Sequence, residues 1–136
     1  MMRRTTRSTT LQSGMATAVE VAVDTYIRAW SETDGEARAK MIEACFAADG
    51  RIVMRGREVR GRAALAEEMK RILADPELSQ IRVISAVDAR GTTFRFRAVV
   101  ERRDGARLES FDAGEIDAEG RISVLLTFAG PLPETP

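Results

Sequence analysis

No histidine occurs in this chain, and its one cysteine is Cys45. Without histidine, Ser–His–Asp and Cys–His arrangements cannot be assembled, and neither can the usual histidine-containing zinc sites. Proton chemistry therefore falls to aspartate, glutamate, tyrosine, lysine or cysteine, with arginine as an electrostatic partner. Asp112 lies inside ESFDAGEIDAEGRI, Glu109–Ile122, where two alternating runs flank a tight Asp-Ala-Glu-Gly turn. A carboxylate in mid-strand faces either water or a pocket, and a register slip of one residue exchanges the two. It can also be a buried structural acid paired with an arginine. Tyr26 falls on an apolar helix face, where a tyrosine is most often core with its hydroxyl at the edge. Cys45, between Ile42 and Phe46, reads as a buried inert thiol. Five arginines in Arg51–Arg62 resemble an anion site, but five acids in Glu109–Glu119 make ordinary surface pairing the simpler reading.

The elements that position these side chains follow from periodicity. Val19, Val23, Tyr26, Ile27 and Trp30 recur at helical spacing from Ala16 to about Glu32. Asp34 is a plausible N-cap for a second helix carrying Ala37, Met41, Ile42, Cys45 and Phe46, which the Asp49-Gly50 turn signal ends. A short strand covers Arg51–Arg55, and Gly56 to Gly61 is a polar connection. A third helix runs from Arg62 to Ala74, with Leu65, Met69, Ile72 and Leu73 on one face, stopped by Asp75-Pro76. Strands follow: Ile81–Asp88, Thr92–Arg103, Arg107–Asp117 and Arg121–Ala129, with Asp104-Gly105 as a hairpin turn. Helices first and strands last predict an α+β fold, with helices laid across the concave side of an antiparallel sheet.

The totals agree with one domain. The chain has 136 residues, 44% hydrophobic and 31% charged. Its 21 basic and 21 acidic residues cancel, which argues against a nucleic-acid partner. No apolar run approaches the ~18–20 residues of a membrane span. A single cysteine permits no internal disulfide, so a reducing, cytoplasmic setting is expected. No cofactor and no metal is expected. Met1–Gly14 has almost no apolar residue and reads as a disordered tail, and Met15 is a candidate start. The domain is expected over residues 15–133, with a short tail at 134–136.

Three stretches carry a resemblance: VDTYIRAWSETD at Val23–Asp34, VRGRAALAEEM at Val59–Met69 and FDAGEIDAEGRI at Phe111–Ile122. In this order they resemble the nuclear transport factor 2-like superfamily, which includes ketosteroid isomerases, limonene epoxide hydrolases and SnoaL-like polyketide cyclases. The resemblance implies a cone-shaped α+β barrel, three N-terminal helices packed on a curved, mostly antiparallel sheet. It also implies an apolar pocket, and a homodimer through the outer sheet face, where Val99, Phe111 and Leu125 are apolar. Tyr26 matches the isomerase tyrosine and Asp112 its protonated aspartate, two donors for a developing oxyanion. The isomerase base falls at Met54, whose thioether cannot accept a proton. Glu58, Glu101 and Glu115 are other candidate bases. A limonene-epoxide-hydrolase arrangement would draw on Asp112 with Arg95 or Arg97.

Two readings follow. One is a SnoaL-like small-molecule enzyme, an isomerase, cyclase or hydrolase of an apolar carbonyl or epoxide, with Asp112 as acid–base and Tyr26 as donor. The other is a non-catalytic ligand-binding or dimerisation module. Trp30, Met54 and Phe128 are the expected pocket wall. An open cavity with Asp112 inside favours the first reading, and a cavity filled by those three side chains favours the second.

Overall fold

Helices come first and most of the sheet comes last, as the periodicity predicts. The computed structural model describes residues 6–135, with side-chain surroundings from residue 17 onward. The elements are α1 (Thr6–Ala29), α2 (Gly35–Cys45), β1 (Phe46–Met54), β2 (Arg57–Arg60), α3 (Arg62–Leu73), β3 (Leu78–Val83), β4 (Asp88–Arg90), β5 (Thr93–Arg102), β6 (Arg107–Ile116) and β7 (Ile122–Ala129). The strands form one sheet in the order β2-β1-β7-β6-β5-β3, with β4 also on β5. Every pair is antiparallel except β1–β7. No hairpin links those two strands, so no turn dictates their relative direction. The result is an α+β fold: three helices and a curved, mixed sheet that does not close on itself.

α1 starts at Thr6 rather than Ala16. No proline interrupts Thr6–Gly14, and serine, threonine and glutamine tolerate a helix without an apolar face to bury. The second half of the segment read as a tail is therefore helical, and residues 1–5 of that reading lie outside the described residues. Asp34 caps α2 as expected, its carboxylate accepting from the Ala37 N–H at 3.2 Å.

Three local expectations change. First, Asp49-Gly50 is not a turn. α2 ends at Cys45, and β1 begins at the next residue. The pairing of β1 with β7 is irregular between Phe46 and Arg51, a bulge that contains Gly50. A Cβ on Gly50 would lie 2.8 Å from the Phe46 ring and 2.9 Å from the Ile122 carbonyl oxygen. Glycine is needed there for close approach, not for a turn. Second, Gly56–Gly61 is not a loop. Met54 pairs with Arg57, and Gly56 turns the chain with φ 76°, making β1–β2 a hairpin. Third, the run Ile81–Asp88 splits into β3 and β4. Between them the Ser85 hydroxyl accepts from the Arg97 N–H at 2.8 Å, replacing a ladder bond.

α1 and the concave sheet face share one core, including Val19, Val23, Phe46, Phe94, Phe96 and Leu125. Phe94 and Phe96 stack at 6.1 Å. Cys45 is buried there, and burial pushes its thiol up to about 12, so it is inert. The expected outer apolar patch is smaller than predicted. Val99 and Leu125 are both fully buried within the single chain, Leu125 in the core itself, while Phe111 stays partly exposed. Its cross-strand partner is Phe128. No described helix is long and apolar enough to cross a membrane.

Gly114 fixes how closely β6, β7 and Phe94 pack. A Cβ there would meet the Val124 carbonyl oxygen and come within 2.8 Å of the Phe94 ring. We predict that Gly114→Ala lowers stability by about 1–3 kcal/mol through overpacking. Urea unfolding should show a lower midpoint at unchanged slope, and an unchanged midpoint would contradict this packing.

Candidate functional site

β5 and β6 set inward side chains beside one another: Phe96 opposite Asp112, Ala98 opposite Ser110 and Val100 opposite Leu108. Strand alternation sends Asp112, Ser110 and Leu108 to the concave side, and Phe111 and Glu109 outward. The helices fill one end of that concavity. At the other end remains a cavity of about 380 Å³, in the range of small-molecule sites. Its walls are apolar, with Ile27 from α1, Ile52 from β1 and Ile72 from α3 among them.

Asp112, Tyr26, Trp30 and Met54 all line this one cavity. Phe128 does not. It is 59% exposed on the opposite sheet face, and Thr127, the cross-strand partner of Asp112, takes the inward place. A bulge explains the difference. Ile116 pairs with Ile122, but Glu115 pairs with Val124, so β7 carries one extra residue. Parity counted from the buried Ile122 is thereby reversed, and Phe128 turns outward.

Asp112 is 5% exposed, and its Oδ1 has no hydrogen-bond partner among the described residues. Burial pushes its carboxyl up to about 6, against the opposing effect of the Ser110 hydroxyl. Tyr26 is buried too. Desolvation raises its phenol well above the ordinary value, and the charges of Asp112 and Glu68 add to the effect, so it stays protonated and able to donate. Trp30 packs edge-to-face on Tyr26, centroids 6.4 Å apart at 87°, which fixes the phenol ring. Asp112 can thus give or take a proton near neutral pH, beside a phenol that only donates.

The cavity also gathers charged residues that the sequence reading passed over. Glu68 is 6% exposed, held by Arg57 at 2.6 Å and Arg71 at 2.9 Å. Asp75 pairs with Arg102 at 3.1 Å. The Glu77 N–H, and then Arg102, hold the Asp75 carboxyl below its usual range. A signal for Glu68 was present: it sits three residues after Leu65 and next to Met69, inside the apolar stripe of α3. Arg102 and Asp75 meet only in the folded chain.

The other candidate bases face away. Arg95 pairs with Asp88, Arg97 with Glu109, Glu101 with Arg82, and Glu115 with Thr92, all outside the cavity, with Glu101 half-buried and Arg95, Arg97 and Glu115 exposed. The Arg95 or Arg97 needed for a hydrolase-like arrangement therefore lies on the wrong face of the sheet from Asp112. Glu58 is tied to Arg51 and Arg60 on the β1–β2 hairpin. Of the arginines of Arg51–Arg62, Arg51, Arg57 and Arg60 are paired, but with Glu58 and Glu68 rather than with Glu109–Glu119. Arg62 instead donates to the carbonyls of Phe46 and Glu43 at the end of α2.

Burial weakens Asp112 as an acid, and that couples folding to pH. The folded state holds this proton up to about pH 6, while the unfolded chain releases it near the ordinary value of 3.8. Folding stability therefore falls as pH rises between those values and is flat above them. Asp112→Asn removes the penalty. It should stabilise the protein above pH 6 by on the order of 1–3 kcal/mol and flatten the profile. Denaturant midpoints measured across this range check both. A variant no more stable than wild type at neutral pH would contradict the strained carboxylate.

No protein-family model matches the chain, and no curated protein matches it. Its fold is shared with solved structures. A proposed isomerase of the SnoaL-like family from Agrobacterium tumefaciens superposes with a TM-score of 0.74 at 23% identity, covering 85% of this chain and 99% of that one. An NTF2-like protein of unknown function from Exiguobacterium gives 0.62 at 22% identity, covering 82% and 99%. An epoxide hydrolase of M. tuberculosis, similar to limonene epoxide hydrolase, gives 0.63 at 15% identity, covering 84% of each chain. Identities this low carry architecture, and the chemistry has to be argued from the site.

Proposed function

We propose that this chain, which has the nuclear transport factor 2-like fold, binds a small apolar ligand bearing a carbonyl or epoxide oxygen and exchanges a proton with it through Asp112. The observation that carries this reading is the buried, unpartnered Oδ1 of Asp112 in the cavity wall. A buried acceptor left unpaired costs about 1–3 kcal/mol. Such a cost persists in a fold where the group serves a ligand, and a protonated carboxyl is the natural donor to a ligand oxygen. The Tyr26 hydroxyl adds a second donor at the same end of the cavity. In turnover, the Asp112 proton moves to the ligand oxygen as that oxygen gains electrons, and the carboxylate later recovers a proton from the product or from water.

One observation supports binding without turnover. Met54 lines the cavity where a ketosteroid isomerase would carry its base, and a thioether accepts no proton. The two readings share the ligand and differ in chemistry. The exposed cross-strand pair Phe111 and Phe128 is the proposed seam of a homodimer on the outer sheet face.

Binding is readable through Trp30, the single tryptophan and a cavity residue. Affinity for an apolar ketone should fall as pH rises through about 6, because Asp112 then loses the proton it donates. Asp112→Asn should keep the fold, abolish that pH dependence and weaken binding by about tenfold at low pH. Unchanged affinity and an unchanged pH profile would remove Asp112 from the site. The native protein should not isomerise a β,γ-unsaturated ketone. Met54→Asp should introduce measurable proton transfer on that substrate if the pocket geometry is as described, and robust isomerisation by the native protein would overturn the reading of Met54.

A further inference from the structure

The cavity is polar at both ends, and the ends differ. Along β5, Ala98, Val100 and Arg102 point inward in succession, and along β6 so do Asp112, Ser110 and Leu108. Asp112 stands opposite Phe96, six residues before Arg102 on β5. At about 3.3 Å per residue the two backbone positions lie roughly 20 Å apart. Exposure rises along this floor, from buried Asp112 to Leu108 at 51%, so the Arg102 end is the mouth. Apart from Ser110, next to Asp112, the floor between them is apolar.

Two guanidinium groups line the mouth, each held beside a carboxylate. Arg57 and Arg71 share the single carboxylate of Glu68, and Arg102 pairs with Asp75. The charges lining the mouth balance, Arg71 and Arg102 against Glu68 and Asp75, but Glu68 is also shared by Arg57 from outside the lining, so Arg71 is the less fully compensated of the two guanidinium groups. The Arg71 and Arg102 side chains are both partly exposed and both line the cavity. Buried Glu68 holds the Arg71 guanidinium at the rim, so the cation is placed before a ligand arrives.

We infer that the ligand is elongated and amphipathic: an apolar body whose inner end presents the oxygen to Asp112 and whose outer end carries an anionic oxygen group, carboxylate or phosphate, held by Arg71 and Arg102. A guanidinium donates to either anion through paired N–H groups. The inference rests on the reading of Asp112 as a ligand-facing group and adds the class of molecule.

The test compares ω-oxodecanoate, its methyl ester and ω-oxodecyl phosphate by Trp30 fluorescence at constant pH and low salt. Both anions should bind about tenfold more tightly than the ester. Whichever anion binds more tightly identifies a free acid or a phosphate ester as the source chemistry. The preference should shrink with added salt and nearly vanish in Arg71→Gln and Arg102→Gln, while ester affinity stays put. Because the acid-to-ester comparison uses the native chain, it does not depend on the variants folding. An ester that binds as tightly as the anions, or variants that weaken all three ligands equally, would overturn the inference and leave the Asp112 reading intact. Binding of none of the three would overturn that reading and the inference with it.

Discussion

Oδ1 of Asp112 is an acceptor buried against an apolar cavity, and much of the molecule is arranged so that it stays there. Leaving it unpaired opposes folding, as does withholding water from the carboxylate above pH 6. The surrounding core has to outweigh both. It does so with side chains packed from α1 and the sheet, among them Phe46, Phe94 and Phe96. Two glycines make that packing possible. Gly50 leaves room for the Phe46 ring and the Ile122 carbonyl, and Gly114 lets Phe94 settle on β6 two residues from Asp112. A close-packed half of the concave face lets the sheet carry an open half beside it.

Charge is distributed to match. The inner end has one carboxyl without a cationic partner, next to a phenol that remains protonated. The mouth has ion pairs instead. Buried or half-buried pairs of this kind are weak contributors to stability, because desolvation offsets much of the attraction. They do fix geometry. Glu68–Arg57 ties α3 to β2, and Asp75–Arg102 ties the end of α3 to β5. The cavity walls are thereby held apart by contacts at the rim rather than by side chains filling the interior.

The elements were legible because local rules decided them. The periodicity of α3, the cap at Asp34 and the hairpin at Asp104-Gly105 needed no distant partner. The errors fell where tertiary contact overrode a local signal. Asp49-Gly50 has turn chemistry, yet the strand ran through it because a neighbouring ring and carbonyl demanded the absence of a Cβ. Ile81–Asp88 looked like one strand, but Ser85 interrupts its ladder from the side.

The site divides in the same way. The sequence by itself determined that proton chemistry had to rest on a carboxylate or a phenol, and it singled out Asp112 in mid-strand and Tyr26 on an apolar helix face. Their meeting in one cavity with Trp30 and Met54 was expected only by resemblance. Which face each strand residue took was decided by tertiary structure. An unpaired residue in β7 reversed the parity that would have turned Phe128 inward, and it put Thr127 there instead. Arg71 and Arg102 came to border one cavity because α3, packed on β1 and β2, and β5 lie on either side of it, a relation between segments far apart in the chain. Periodicity specifies a repeat within an element, whereas a bulge or a docking contact depends on what lies opposite, and only the folded chain brings that into place.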